Sequence, residues 1–393
     1  MAGDGSAPSA SAFYAGLAEA ESGRPHRNEV TDKIGPQEKR ARGAAKEAAV
    51  HHFAIDLGSM ESQICVRTPD GEIALERKVA TRSLKSYLEK QPPSRVVVET
   101  CAEAFRVADM ALELGHEVRV VPATLVRSLG VGARRIKTDR RDAQVLSEVS
   151  CRIDLPSVHV PTHVARQRRS MCGMRDELVA SRTALINCVR GWARTQLLKI
   201  ASGVVATFSK RVREVALKLP EGLPEYVERL LQTIETLTKQ IVAADAELQK
   251  IADEDALCQR LQTVPGVGPV TSIRFAAALD DCSRFASAHA VQSYLGLTPG
   301  ENSSSQRQQR TGITKAGPAA VRRVLVQAAW TLRRTRPHDP ICLWALEIEK
   351  RRGRFVATVA VARKLAGVLY ALWRDGSKYE PTHQSKRPNA PST

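Results

Sequence analysis

From Phe53 the chain reads as three consecutive β-strands, "FAIDL", "SQICVRT" and "EIALERKV", the last two joined by the turn "PDG". Helix and strand then alternate: a helix near residues 82–90, the strand "RVVVET", a helix from Ala102 to Leu114, the strand "EVRVV", and a helix opened by Thr138. Strands joined by tight turns pair antiparallel, whereas strands joined through a helix pair parallel. The succession therefore predicts a mixed α/β sheet covered by helices.

That strand order is ribonuclease-H-like, or RuvC-like, and in it the first and fourth strands are neighbours. Asp56 ends the apolar run "FAI" and Glu99 ends "VVV", so the two acids converge at one edge of the sheet. In "IKTDRRDAQVL", Asp139 and Asp142 stand at i and i+3 and face the same way from a helix start. Alone, this pair also reads as helix capping with compensation of the dipole. Joined by Asp56 and Glu99, it reads as a metal site. Four converging carboxylates repel one another unless a divalent cation neutralises them, and an oxygen set without Cys or His suits Mg2+ or Mn2+. Two such ions about 3.5–4 Å apart can activate a nucleophile and stabilise a leaving oxygen in phosphoryl transfer. Lys137, Arg140 and Arg141 are then expected to contact phosphate beside the metal.

The overall charge agrees with such a substrate. Among 393 residues, 59 are Lys or Arg and 42 are Asp or Glu, a formal net charge of +17 that favours a polyanionic partner, nucleic acid first. The eight cysteines are scattered, without a CxxC pair or His at zinc spacing, as expected of reduced thiols in a cytoplasmic, nucleoid-associated protein. No signal-peptide pattern and no run of 18 apolar residues is present, so neither export nor a membrane span is expected.

The chain divides by composition. Residues 1–48 and 376–393 read as disordered, 49–155 as the α/β domain, 156–257 as a helical region, and 258–375 as a mainly helical C-terminal domain. In 171–192, Met171, Met174, Leu178, Leu185, Cys188 and Trp192 fall on three- and four-residue steps. In 227–251 the seam is Val227, Leu230, Ile234, Leu237, Ile241, Ala244, Leu248 and Ile251. This pattern fits a coiled coil between two chains, or a helical hairpin within one. Further on, Pro265-Gly266-Val267-Gly268-Pro269 between helical stretches resembles a helix-hairpin-helix, whose glycines let backbone N–H groups approach phosphate. The loop "GLTPGENSSSQRQQRTGITKAG" and the helix after it supply further candidate nucleic-acid contacts: Arg307, Arg310, Lys315, Arg322 and Arg323.

"AIDLGSMES" also resembles the first phosphate loop of actin-like sugar kinases, but the second phosphate loop and adenosine motif of that fold are missing. Taken in order, "AIDLGS", "VVVET", "KTDRRDA", "VPGVGPVTS" and "YLGLTPGENSSSQRQQRTGITKAG" resemble the transposases of insertion-sequence family one hundred and ten. The subgroup numbered eleven hundred and eleven is the nearer match, and the Piv invertase is a relative. The resemblance runs from about residue 51 to 375.

It implies a RuvC-like domain whose DEDD carboxylates, here Asp56, Glu99, Asp139 and Asp142, bind Mg2+. It also implies a C-terminal transposase domain with a serine nucleophile, a bridge RNA that guides the choice of target and donor DNA, and a homo-oligomer, dimer or tetramer. The family's nucleophile usually precedes a glycine; here the loop reads Asn302-Ser303-Ser304-Ser305-Gln306, and Ser304 fits the position best, with Ser303 next. Two alternatives stand beside this reading. One is a RuvC-type metal-dependent nuclease, or junction resolvase, that uses water and forms no covalent link. The other is an inert nucleic-acid-binding protein. The chain also lacks a recognisable helix-turn-helix, zinc finger or other base-reading module, which favours an RNA as the reader of sequence.

Overall fold

The computed structural model describes residues 50–128, 138–301 and 310–381. The extension 1–48 and the tail from 382 lie outside the described residues. Two compact units form: one takes the described residues up to Pro161 with Tyr294–Gly296 and Gly300–Ala319, the other takes the remainder.

The first unit is built on a five-stranded sheet of β1 (His52–Asp56), β2 (Glu61–Arg67), β3 (Ile73–Ala80), β4 (Arg95–Glu99) and β5 (Glu117–Val121), in the order β3-β2-β1-β4-β5. β1, β2 and β3 pair antiparallel, while β4 runs parallel to β1 and β5. The short helix Leu84–Leu88 and the helix Ala104–Glu113 cover one face, packing Leu84, Leu88, Val107 and Ala111 onto Phe53, Ile55, Ile64, Val96 and Val98. On the other face, Leu146 of the helix Asp139–Arg152 packs with Ala54, Val97 and Val121. Central strands buried on both faces explain the unbroken apolar runs in β1 and β4. The helix Asp139–Arg152 starts where the sequence expects, with Thr138 as its N-cap: the Thr138 hydroxyl accepts from the Arg141 backbone N–H.

In the second unit, the 33-residue helix His163–Thr195 packs along the 30-residue helix Glu225–Glu254. The seam is therefore filled, at least in part, within one chain. Val227, Ile234, Ile241 and Leu248 are buried, and Leu230, Leu237, Ala244 and Ile251 are half-buried. The phase expected for the first helix is corrected by one residue. Cys172, Ile186, Val189 and Ala193 are buried, whereas Met174 and Cys188 are exposed. The cause is polar: Arg175 pairs with Asp245 at 2.7 Å and Arg182 donates to Thr238 at 3.5 Å, so apolar spacing does not set the phase mid-helix.

The helices Ala256–Leu261 and Pro269–Leu279 follow, and then Ala319–Thr335, Pro340–Arg352 and Arg354–Asp375. The last is long and apolar enough to cross a membrane by length and composition, and half of its most apolar stretch is buried inside the protein. The tail is ordered further than the sequence suggests, because the Tyr379 hydroxyl donates to Asp339 Oδ2 at 2.8 Å and its backbone N–H to Thr263 Oγ1 at 3.0 Å.

Candidate active site

Residues directly opposed across a sheet carry their side chains on the same face. Asp56 opposes Gln63, and Gln63 opposes Lys78. In the parallel pair, Ile55 stands beside Val98, so the next residues, Asp56 and Glu99, end their strands side by side, with strands about 4.8 Å apart. Asp56 shares its face with Ala54 and Glu99 shares its face with Val97, and this is the face that receives Leu146. Asp142 lies one turn before Leu146 on the inward side of the same helix and is only 6% exposed, while Asp139 is exposed at the helix start. Register thus positions two carboxylates and a capped helix start positions two more.

Among the described residues, no three His, Cys, Asp or Glu side chains are drawn closely enough together to form a metal shell. The donor chemistry does fit a hard divalent cation: four acids, all oxygen, on one side of one sheet.

The other candidates separate into groups. Lys137, Ser303, Ser304 and Arg307 lie outside the described residues. Arg310 opens β7 (Arg310–Ile313), which pairs with β6 (Pro299–Glu301), so this two-stranded ribbon brackets the serine stretch. Lys315 is exposed, and its backbone N–H donates to the Gly296 carbonyl at 3.1 Å.

Three arginines are placed by neighbouring groups. Arg140 donates from Nε to Glu76 Oε2 at 3.1 Å. Arg323 pairs with Asp176, and burial lowers the pKa of Arg322 from its ordinary value. Arg141 remains exposed at the helix start.

Gly266 has φ +90°, and a Cβ there would stand 2.6 Å from the Ala328 carbonyl oxygen. Its bare side is thus occupied by the helix Ala319–Thr335. Gly268, the N-cap of Pro269–Leu279, has nothing within 4 Å of where a Cβ would stand. Of the two glycines, Gly268 has the open approach.

Comparison with known proteins decides the lineage. Residues 53–195 match the family model for DEDD transposases of IS110-type elements, and residues 258–340 match the transposase IS116/IS110/IS902 family. The chain belongs to the IS116/IS110/IS902 family of transposases. Among its relatives, the transposase for insertion sequence element IS1111A of Coxiella burnetii is 28% identical over 340 residues, 85% of this chain and 92% of the relative. The transposase for insertion sequence element IS1328 of Yersinia enterocolitica is 28% identical over 338 residues, 83% of this chain and 98% of the relative. The protein is thus a DNA transposase, an enzyme of DNA recombination, and its DEDD domain implies use of a divalent metal.

Two groups on this transposase's carboxylate face had no motif to announce them. Glu76 on β3 accepts from both Arg140 and Gln144, one turn apart on the helix that carries Asp139 and Asp142. Those bonds hold the Glu76 carboxyl below its usual pKa range, the Arg140 bond most of all. Lys78, two residues on, pairs with Glu61 at 2.6 Å. The strand pattern of "EIALERKV" is visible in the sequence, but its register against β2, which sets these contacts, is not.

Proposed function

We propose that the transposase cuts and rejoins DNA strands at a ribonuclease-H-like DEDD site. In this reading Asp56, Glu99, Asp139 and Asp142 hold Mg2+ or Mn2+, and Ser304 or Ser303 is the nucleophile. One observation carries it: Asp56 and Glu99 end neighbouring parallel strands on the face that also receives the helix start with Asp139 and Asp142. The strand order β3-β2-β1-β4-β5 supports the fold comparison. The described residues on either side of the serines in sequence, Gly300, Glu301 and Arg310–Ala319, fall in the same compact unit as the sheet.

A bound divalent cation would neutralise the acids and stabilise charge developing on the phosphate. The serine Oγ attacks phosphorus, an O–P bond to the enzyme forms, the bond to a deoxyribose oxygen breaks, and that oxygen leaves with a proton. Rejoining reverses the step, because a DNA hydroxyl attacks the phosphoserine and restores the serine. Asp142, already nearly out of water, would need no further desolvation to act. A bridge RNA supplies site choice, the PGVGP turn and the basic residues hold nucleic-acid backbone, and the protein works as a dimer or tetramer. The RNA element rests on the +17 charge and on a chain without a recognisable base-reading module.

The test is a denaturing gel of protein with labelled DNA carrying the ends of its own element, co-expressed with the element's flanking non-coding sequence. Wild type should form a covalent protein–DNA adduct, and Ser304→Ala, or failing that Ser303→Ala, should abolish it. Strand cleavage with no adduct in wild type would instead identify a RuvC-type nuclease using water.

A further inference from the structure

Four residues stand level across the sheet: Lys78 on β3, Gln63 on β2, Asp56 on β1 and Glu99 on β4. Direct opposition puts the first three on one face, and strand alternation puts Glu99 there too. Lys78 is the one cation of this row. Its ammonium is held 2.6 Å from Glu61, and the Asp139 charge also reaches it, adding to Glu61's larger effect in raising the lysine's pKa. The acids facing it are thus Glu61 from β2 and Asp139 from the helix start.

Both members of the Lys78–Glu61 pair are more than half exposed, 55% and 57%. An ion pair so exposed contributes little to stability and is readily exchanged. Contrast Arg140, whose two-atom hold on Glu76 is backed by Gln144. Lys78 is also a point charge on a flexible four-carbon stem, suited to following a phosphate. Its strand lies two spacings from that of Asp56, about 10 Å, so a phosphate one nucleotide away from a strand bound at the carboxylates comes within its reach.

We propose that Lys78 is a DNA-backbone contact of this transposase, binding a phosphate beside the scissile one, and that Glu61 holds the ammonium until DNA displaces it. The assignment rests on the reading of Asp56, Glu99, Asp139 and Asp142 as the site where DNA is cut.

The experiment measures binding of the full-length protein, with its co-expressed RNA, to a labelled duplex carrying one element end, across a salt series. Each phosphate contact contributes about 0.9 to the slope of log affinity against log salt, so from about 50 to 200 mM salt wild type should lose about threefold more affinity than Lys78→Gln. Lys78→Arg should keep the wild-type slope. Glu61→Gln, which removes the competing carboxylate, should tighten binding. An unchanged slope in Lys78→Gln, or no gain in Glu61→Gln, overturns the proposal. Cleavage by Asp56→Asn reports on the carboxylates separately: a shallow Lys78→Gln slope together with an active Asp56→Asn would keep the lysine as a DNA contact and remove the cutting site from beside it.

Discussion

Gly266 and Gly268 look equivalent in the sequence, and the structure separates them. Gly266 combines φ +90° with a Cβ position 2.6 Å from a helix carbonyl, whereas Gly268 has ordinary φ −105° and open space around it. Gly266→Ala should therefore cost about 1–3 kcal/mol in chemical denaturation, and Gly268→Ala no more than about 1 kcal/mol. Equal stability of the two variants would contradict the packing role of Gly266. The turn was legible from its glycines, but its purpose was not, because the helix filling the space lies some sixty residues away in sequence. Asp56 and Glu99 were legible for the opposite reason: an acid that ends an unbroken apolar run can only sit where a buried strand reaches its edge. Glu61, Glu76 and Lys78 sit in polar, half-exposed stretches, where no residue stands out until register is known.

At the scale of elements, the helix Asp139–Arg152 is aimed by its cap and by Glu76. Removing the clamp in Glu76→Ala should lower strand cleavage about 10–100-fold and raise the divalent-metal concentration needed, with Glu76→Gln recovering part of the loss through its remaining acceptor. An activity titration against Mg2+ checks this, and an unchanged metal requirement would count against it. The pH sign follows from the depressed pKa of Glu76. Its contribution to stability is complete above the unfolded carboxylate value, is lost as pH falls through the lower folded value, and is constant between about pH 6 and 8.

In the helical unit, Asp176 accepts from Arg274 at 2.7 Å and also from Arg323, tying together three helices. Arg274 is 6% exposed, and it also donates to the Cys172 carbonyl at 2.6 Å. Asp176→Ala strips the buried guanidinium of its counter-charge and should cost about 3–5 kcal/mol, read as a lowered midpoint of thermal unfolding; a midpoint within error of wild type would contradict it. Such polar joints also explain why the first long helix was phased one residue out: its middle is positioned by Arg175, Asp176 and Arg182 rather than by apolar steps.

For the whole molecule, the sheet order, the helix start and the family motifs all bear on the proposed carboxylate site on one face of the first unit, while the net charge of +17 favours a polyanion without choosing its sequence. The helices on either side of residue 258 fall in one compact unit, and the described residues Gly300, Glu301 and Arg310–Ala319 join the other, because contacts that assemble a unit need not follow chain order. What everything else depends on is that Asp56, Glu99, Asp139 and Asp142 form a metal site. Mn2+ binding followed by electron paramagnetic resonance, with wild type, Asp56→Asn and Asp142→Asn at matched circular dichroism, tests this without reference to the serine, the RNA or the DNA sequence. Wild type should bind Mn2+ competitively with Mg2+, and both variants should lose that binding while staying folded; variants that bind Mn2+ as tightly as wild type would contradict the metal site itself.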